Sequence, residues 1–366
     1  MALTRIQPAA IADVREPNFR NIVINGDMAV SQRATSTASI TTSGYHTIDR
    51  FQTSASSIGT WTQSQDTDVP TGQGFATSLK MDCTTADASP AASDNLIIIQ
   101  KFEGQNLQYL KKGTASAESL TLSFWVKSNK TGTYIAGLHD RDNSRIISKS
   151  YTIDSSDTWE QKEITFAGDT TGAFDNDNAG SLDIQMWLAA GSDFSGGTLA
   201  TTWQSQTNAN RAVGQVNLAD STSNEFFITG VQLEAGSVAT DFEVVPYDQN
   251  LDRCQRYYQF IASGTSKRWD LVSSARTTSY VDFVYPCTVP MRAQPSLDVV
   301  SGTDYYYVYS SNGGYDKFTT PAINSNYVSG TTLVTGYYSG GSYTAGDSLL
   351  ASTDNASSYI ALDAEL

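Results

Sequence analysis

Apolar and polar residues alternate over short stretches along most of this chain. Leu120, Leu122, Phe124 and Val126 share one parity, while Ser123, Trp125 and Lys127 take the other. That alternation predicts a strand over 119–127 with one buried face. Residues 181–188 repeat it, with Leu182, Ile184, Met186 and Leu188 inward. Further strands are predicted over 75–83, 95–102, 134–139, 160–166 and 225–234, separated by turn formers at 129–132 and 175–180. The apolar run of residues 21–28 carries an Asn25-Gly26 turn signal, and 228–236 is a β-rich run ending in small residues. A strand near residue 22 and one near residue 230 are expected to open and close one antiparallel sandwich. Many short strands with few helix signals predict an all-β fold, a β-sandwich of the jelly-roll kind.

The pattern changes on either side of this body. Residues 1–20, punctuated by Pro8 and Pro17, show no period and read as an extended N-terminal arm. Such an arm is either a loose tail or an anchor in an assembly. The jelly roll takes residues 21–247. A connecting helix is expected over 248–262, with Asp248 as its N-cap after Pro246. Leu251, Cys254, Tyr258 and Ile261 make its narrow apolar stripe, which packs either on its own domain or against copies around a threefold axis. Residues 263–366 read as a smaller Tyr-rich β domain. Fourteen of the 19 tyrosines lie beyond position 250, whereas five of the six tryptophans precede it. Its strands are expected over 281–285, 305–309, 331–338 and 359–362, with hairpin loops at Asn312-Gly313-Gly314 and Ser339-Gly340-Gly341.

Composition narrows the chemistry. The 366 residues suffice for two domains and a sizeable core. A net charge of −15 argues against binding phosphate backbones or anionic membranes, so neither nucleic acid nor membrane is an expected partner. No apolar window is long enough to predict insertion in a bilayer. The first eight residues lack the basic and apolar blocks of a signal peptide. Cys83, Cys254 and Cys287 are too few and too scattered for a disulfide framework or a zinc site. Synthesis in a reducing cytoplasm is the expectation. Two histidines, His46 and His139, and no GxSxG, P-loop, GxGxxG or HExxH motif leave no catalytic signature, and no enzyme activity is expected. A pair of carboxylates for glycoside hydrolysis cannot be chosen among 38 acidic residues.

Seven segments, in order, resemble those of bacteriophage tail-fibre and virion appendage proteins that carry a carbohydrate-binding-module-like jelly roll. They are residues 21–28, Thr47-Ile48-Asp49-Arg50-Phe51, 120–127, 231–236, Arg253-Cys254-Gln255-Arg256-Tyr257-Tyr258, Pro290-Met291-Arg292-Ala293-Gln294-Pro295 and 363–366. The resemblance implies a non-enzymatic structural protein of the virion, made in the host cytoplasm and assembled as a homotrimer. It also implies attachment to host surface glycans, with other virion proteins as partners through the N-terminal arm. A purely architectural capsid or tail component and a polysaccharide-degrading fibre enzyme are the alternatives.

Strand parity turns Trp125 and Trp187 outward, beside Ser123, Lys127, Asp183 and Gln185. An indole ring offers an apolar face to the C–H side of a pyranose while carboxylates and amides bond its hydroxyls. Trp125, Trp187, Asp183 and Gln185 are therefore candidate carbohydrate-binding residues, unless a loop or neighbouring subunit covers the rings. Tyr306 and Tyr337, on Tyr-rich strands of the distal domain, form a second candidate surface. The Asp175–Gly180 run opens like a calcium loop but lacks the later oxygen ligands. Related modules hold a structural calcium ion near positions matching Asp27 and Glu234, which makes these two the candidate metal ligands.

Overall fold

A computed structural model describes residues 19–268, 272–310, 315–323, 331–337 and 343–366. The protein is all-β: a jelly-roll sandwich is followed by a short helix and a smaller β domain. Strands β1 (Ser36–Tyr45) and β2 (Gln52–Asp66) form a hairpin that folds over one side of the sandwich. The first part of β2, Gln52–Ser56, pairs with β4 (Asn95–Glu103), and its second part, Thr60–Asp66, pairs with β3 (Ser78–Thr85). Between them Ser57 and Gly59 take positive φ, at 49° and 70°, and turn the strand from one sheet into the other. Thr85 carbonyl oxygen lies where a Cβ on Gly59 would sit, so the corner also needs glycine for space.

The first sheet continues from β4 through β9 (Gly180–Ala190), β6 (Gly132–Asp140), β7 (Arg145–Ile153) and the two-residue β10 (Gln204–Ser205). The second continues from β3 through β11 (Glu225–Ala235), β5 (Leu120–Ser128) and β8 (Glu160–Phe166). All four predicted inward residues of β5 and all four of β9 lie in the core between the sheets. On β11 the inward parity shifts from Phe226 and Ile228 to Val231 and Leu233. A bulge at Gly230, φ 61°, makes that shift, and the β5 register breaks at the same point.

Residues 21–28 are not a strand. Asn25 and Met28 adopt left-handed φ, and the segment reaches β11 through only two backbone bonds, Ile22 N–H to Leu233 O and Val231 N–H to Gly26 O. The Asn25 side chain holds the turn, accepting from Val30 N–H and donating to Val30 and Asp49 carbonyls. Turn chemistry outweighs the apolar run here.

Helix α1 spans Tyr247–Gln255, shorter than expected, and the chain enters strand β12 at Tyr258–Ser263. The expected stripe is thereby split. Leu251 and Cys254 pack from the helix beside Ile24 and Val30, whereas Tyr258 and Ile261 belong to the strand. Strand β12 pairs with β14 (Tyr359–Asp363), and β14 with β13 (Ser296–Val300). Among the described residues, seven antiparallel strands form the sheet that completes the distal domain. Its core includes Val281, Phe283, Tyr306, Val308, Phe318 and Ile360.

The two domains meet over buried charges. Arg50, fully buried, forms an ion pair with Glu365, donates to Lys101 O and stacks 3.4 Å from the Tyr257 ring centroid. Arg256 donates twice to Glu103, at 2.8 and 2.7 Å, and the Tyr257 hydroxyl donates to the same carboxylate. Arg292 donates to Ala364 O, Glu365 O and Asn178 O. Five of the seven segments that carry the family resemblance converge on this junction.

Candidate functional site

The outer face of the second sheet carries a cleft of about 300 Å³. Trp125 projects into it from β5 and Gln161 from β8, while Phe75, Gln73, Asp27, Asp241 and Phe242 complete its walls. Phe75 and Phe242 meet edge to face, with centroids 5.1 Å apart. The Gly230 bulge makes room for this wall: a Cβ there would stand 2.6 Å from Phe75 Cζ.

The other wall is tied down by the polar residues that follow the bulge. Gln232 accepts from Glu243 N–H at 2.8 Å. Glu234 accepts from Thr240 N–H at 2.9 Å and from the Thr240 hydroxyl at 2.7 Å. These bonds hold the stretch that presents Asp241 and Phe242. Trp125 is half-buried, and among the described residues its indole N–H has no hydrogen-bond partner. Burial pushes the Asp27 carboxyl up from its ordinary value, against backbone hydrogen bonds and one from Asn250 that favour its charged form. The cleft thus brings together three aromatic rings, two carboxylates, two side-chain amides and an unused indole N–H. Apolar surface with a few convergent polar groups suits a polyhydroxylated ring.

The other indole is covered. Trp187 does point out of the sandwich, but it is 0 % exposed. Residues 191–217 fold over it, placing Phe194 5.4 Å from its ring and the Arg211 guanidinium 5.1 Å away. The outward side chains of Ile97, Ile99 and Ile135 join it in a second apolar cluster, which a bare surface would leave in water. Asp183 and Gln185 are buried with it. Asp183 faces Arg141 at 3.2 Å and His139 at 3.3 Å, and Gln185 accepts from Arg211 at 2.9 Å. Trp125 and Trp187 therefore lie on opposite faces of the molecule and make no common platform.

Tyr306 is a core residue, with its hydroxyl 2.7 Å from Tyr359 O and 2.9 Å from Val300 O. Tyr307 and Tyr309 flank it on the opposite face, 5.9 Å apart. The Tyr337 side chain, Tyr338, both Gly-Gly hairpin loops and residues 1–18 of the arm lie outside the described residues.

Asp27 and Glu234 do not share a site. The 21–28 segment runs antiparallel to β11, so Asp27 comes beside Thr229 and Glu234 beside Arg20. Glu234 already receives hydrogen bonds from Gln232 and Thr240 and faces the Arg20 guanidinium at 3.4 Å. A carboxylate so occupied does not suit a calcium ion. No cluster of three or more His, Cys, Asp or Glu side chains fit for a metal occurs among the described residues. No helix among them is long and apolar enough to cross a membrane.

Sequence reasoning found Trp125 by parity and missed its neighbours. Phe75 was expected inside a strand that begins only at Ser78, and Phe242 sits in a stretch with no period.

No protein-family model matches the chain, and no curated protein matches it in sequence. Among solved structures it is similar to the enzymatically active domain of tailspike protein 4 of bacteriophage CBA120. That match has a TM-score of 0.32 and 14% identity, and covers 59% of this chain but only 22% of the tailspike chain. It is similar to TmCBM61, solved with β-1,4-galactotriose, at TM-score 0.30 and 11% identity over 59% of this chain and 99% of the module. The family 11 carbohydrate-binding module of the Clostridium thermocellum cellulase Lic26A-Cel5E aligns at TM-score 0.27 and 13% identity, over 60% of this chain and 97% of the module. At these scores and identities the likeness assigns no residue and no ligand to this chain.

Proposed function

We propose that the protein binds glycans, and that the Trp125 cleft is the sugar seat. The observation that carries this reading is the half-exposed indole with its unused N–H, walled by Phe75 and Phe242 and faced by carboxylates and amides. A pyranose lies with its C–H face on the indole, and Asp241, Gln161 and Gln73 bond its hydroxyls. The role is attachment and not catalysis. The seven resembling segments support a place on a virion, as a fibre or appendage subunit that attaches to host surface glycans. A homotrimer would add avidity to a shallow site, and the N-terminal arm of residues 1–20 would join it to other virion proteins.

A second reading draws on Asp27. A carboxyl raised by burial, in the same cleft as Asp241, is the pairing that glycoside hydrolysis uses. One experiment separates the two. The labelled protein and its Trp125→Ala variant are applied to a glycan array and to host cells, with reducing ends assayed in parallel. Saturable binding lost in the variant, with no reducing ends released, is the expected result. Equal binding by both proteins removes the cleft from the argument, and Asp27-dependent release of reducing ends replaces attachment with hydrolysis.

A further inference from the structure

A second cavity, of about 340 Å³, lies where helix α1 and the sandwich meet, apart from the Trp125 cleft. Its volume falls within the range of small-molecule sites. Phe19, Tyr109 and Tyr257 supply its aromatic walls, and Phe19 and Tyr109 are 48 % and 38 % exposed at the rim. Two guanidinium groups and one carboxylate face it. Glu103 is consumed: it takes both hydrogen bonds of Arg256, the Tyr257 hydroxyl and Gln105 Nε2.

Arg253 is left over. Among the described residues its only hydrogen bond goes to Asn21 O at 3.3 Å, and none of their carboxylates lies within ion-pair distance of it. Glu243, which lines an adjoining cavity with Arg253, instead accepts from Asn21 N–H at 2.7 Å. Arg253 lies over the Phe19 ring, 5.1 Å from its centroid, and burial lowers its affinity for a proton. Its place in the last turn of α1 offers only the partial negative charge of a helix end. The groups lining the cavity itself, Arg253, Arg256 and Glu103, sum to one positive charge, with Glu243 in the adjoining cavity as a counter-charge beyond ion-pair distance, in a chain whose net charge is −15. Arginine keeps its charge even when desolvated, so a bound anion is what completes the site.

We propose that this cavity binds a carboxylate-bearing sugar ring, a hexuronate, with the carboxylate on Arg253 and the ring against Tyr109. Its hydroxyls meet Asn106 at the exposed cavity wall. The proposal does not rest on the Trp125 reading, since the two sites share no lining residue.

The test is a calorimetric titration of the whole chain with D-glucuronate at fixed ionic strength, with D-glucose and acetate as comparison ligands. Saturable glucuronate binding, weaker by at least about tenfold for acetate, glucose and the Arg253→Gln variant, and unchanged in Trp125→Ala, is the expected outcome. Thermal melting checks that Arg253→Gln folds. If it does not, Tyr109→Ala, at the rim, carries the test and should also lose binding. The proposal is overturned by absence of saturation, by glucose or acetate binding as tightly as glucuronate, by full affinity in the folded Arg253→Gln or Tyr109→Ala variant, or by loss in Trp125→Ala.

Discussion

Arg50 is the residue whose replacement most directly probes how the two domains are held together. In Arg50→Met the aliphatic volume stays, but Glu365, itself only 4 % exposed, loses its main counter-charge. Removing one member of a buried ion pair costs about 3–5 kcal/mol. The lost contact with the Tyr257 face adds up to about 2 kcal/mol where a cation–π pair is dry. Arg33, 3.5 Å from Glu365, returns part of this loss. The net expectation is about 4 kcal/mol for Arg50→Met. The double variant Arg50→Met/Glu365→Leu removes both charges and should lose only about 1–2 kcal/mol, because no orphan charge remains. Urea unfolding followed by tryptophan fluorescence and far-UV dichroism is the assay. The wild type should unfold in one transition, and Arg50→Met in two, as the distal domain lets go first. Equal losses in the single and double variants would refute the reasoning, since packing and not charge pairing would then hold the junction.

Three further outcomes follow from other contacts. Gly230→Ala places a methyl group against Phe75 at a φ of 61°, so a loss of about 1–3 kcal/mol in urea and weaker glycan binding are expected together. Trp187→Ala empties a buried site and should cost about 3–5 kcal/mol while Trp125-dependent binding survives, the reverse of Trp125→Ala. Burial pushes the Glu103 carboxyl up, but the bonds from Arg256, Tyr257 and Gln105 outweigh it and leave it below its ordinary value of 4.5. Its stabilisation is therefore complete above that value and is lost as pH falls through the lower folded one, so Glu103→Gln should flatten the acid arm of the stability curve below pH 4.5.

The strands with strict alternation were readable because a half-buried sheet imposes period two on its side chains. Residues 119–127 and 181–188 show it plainly, and the inward sets are the observed core. Strands β1 and β2 were not, since Ser, Thr and Gln fill both of their faces and β1 changes register three times. Parity places a side chain on a face but does not say what lies over that face. Trp187 illustrates this, although a signal existed: Leu96-Ile97-Ile98-Ile99 on the neighbouring strand is apolar at every position, the mark of a strand buried on both sides. The helix was overextended because Tyr258 and Ile261 fit a helical spacing and a strand equally well. The cleft around Trp125 was half legible. Its floor is a strand residue, but its walls come from irregular chain whose position is set by Gln232 and Glu234, and no periodicity records such bonds.

The hairpin of β1 and β2 that turns the corner of the sandwich also decides how copies of this protein can touch. By serving both sheets it leaves few strand margins with free backbone groups. β1 is bulged along its length, β10 is two residues long, and β8 lines its margin with Glu160, Lys162 and Glu163. Short, bulged or charged margins resist growth by strand addition. Crowded side by side, the sandwiches are guarded against fusing into an endless sheet, and contact between them falls to side chains.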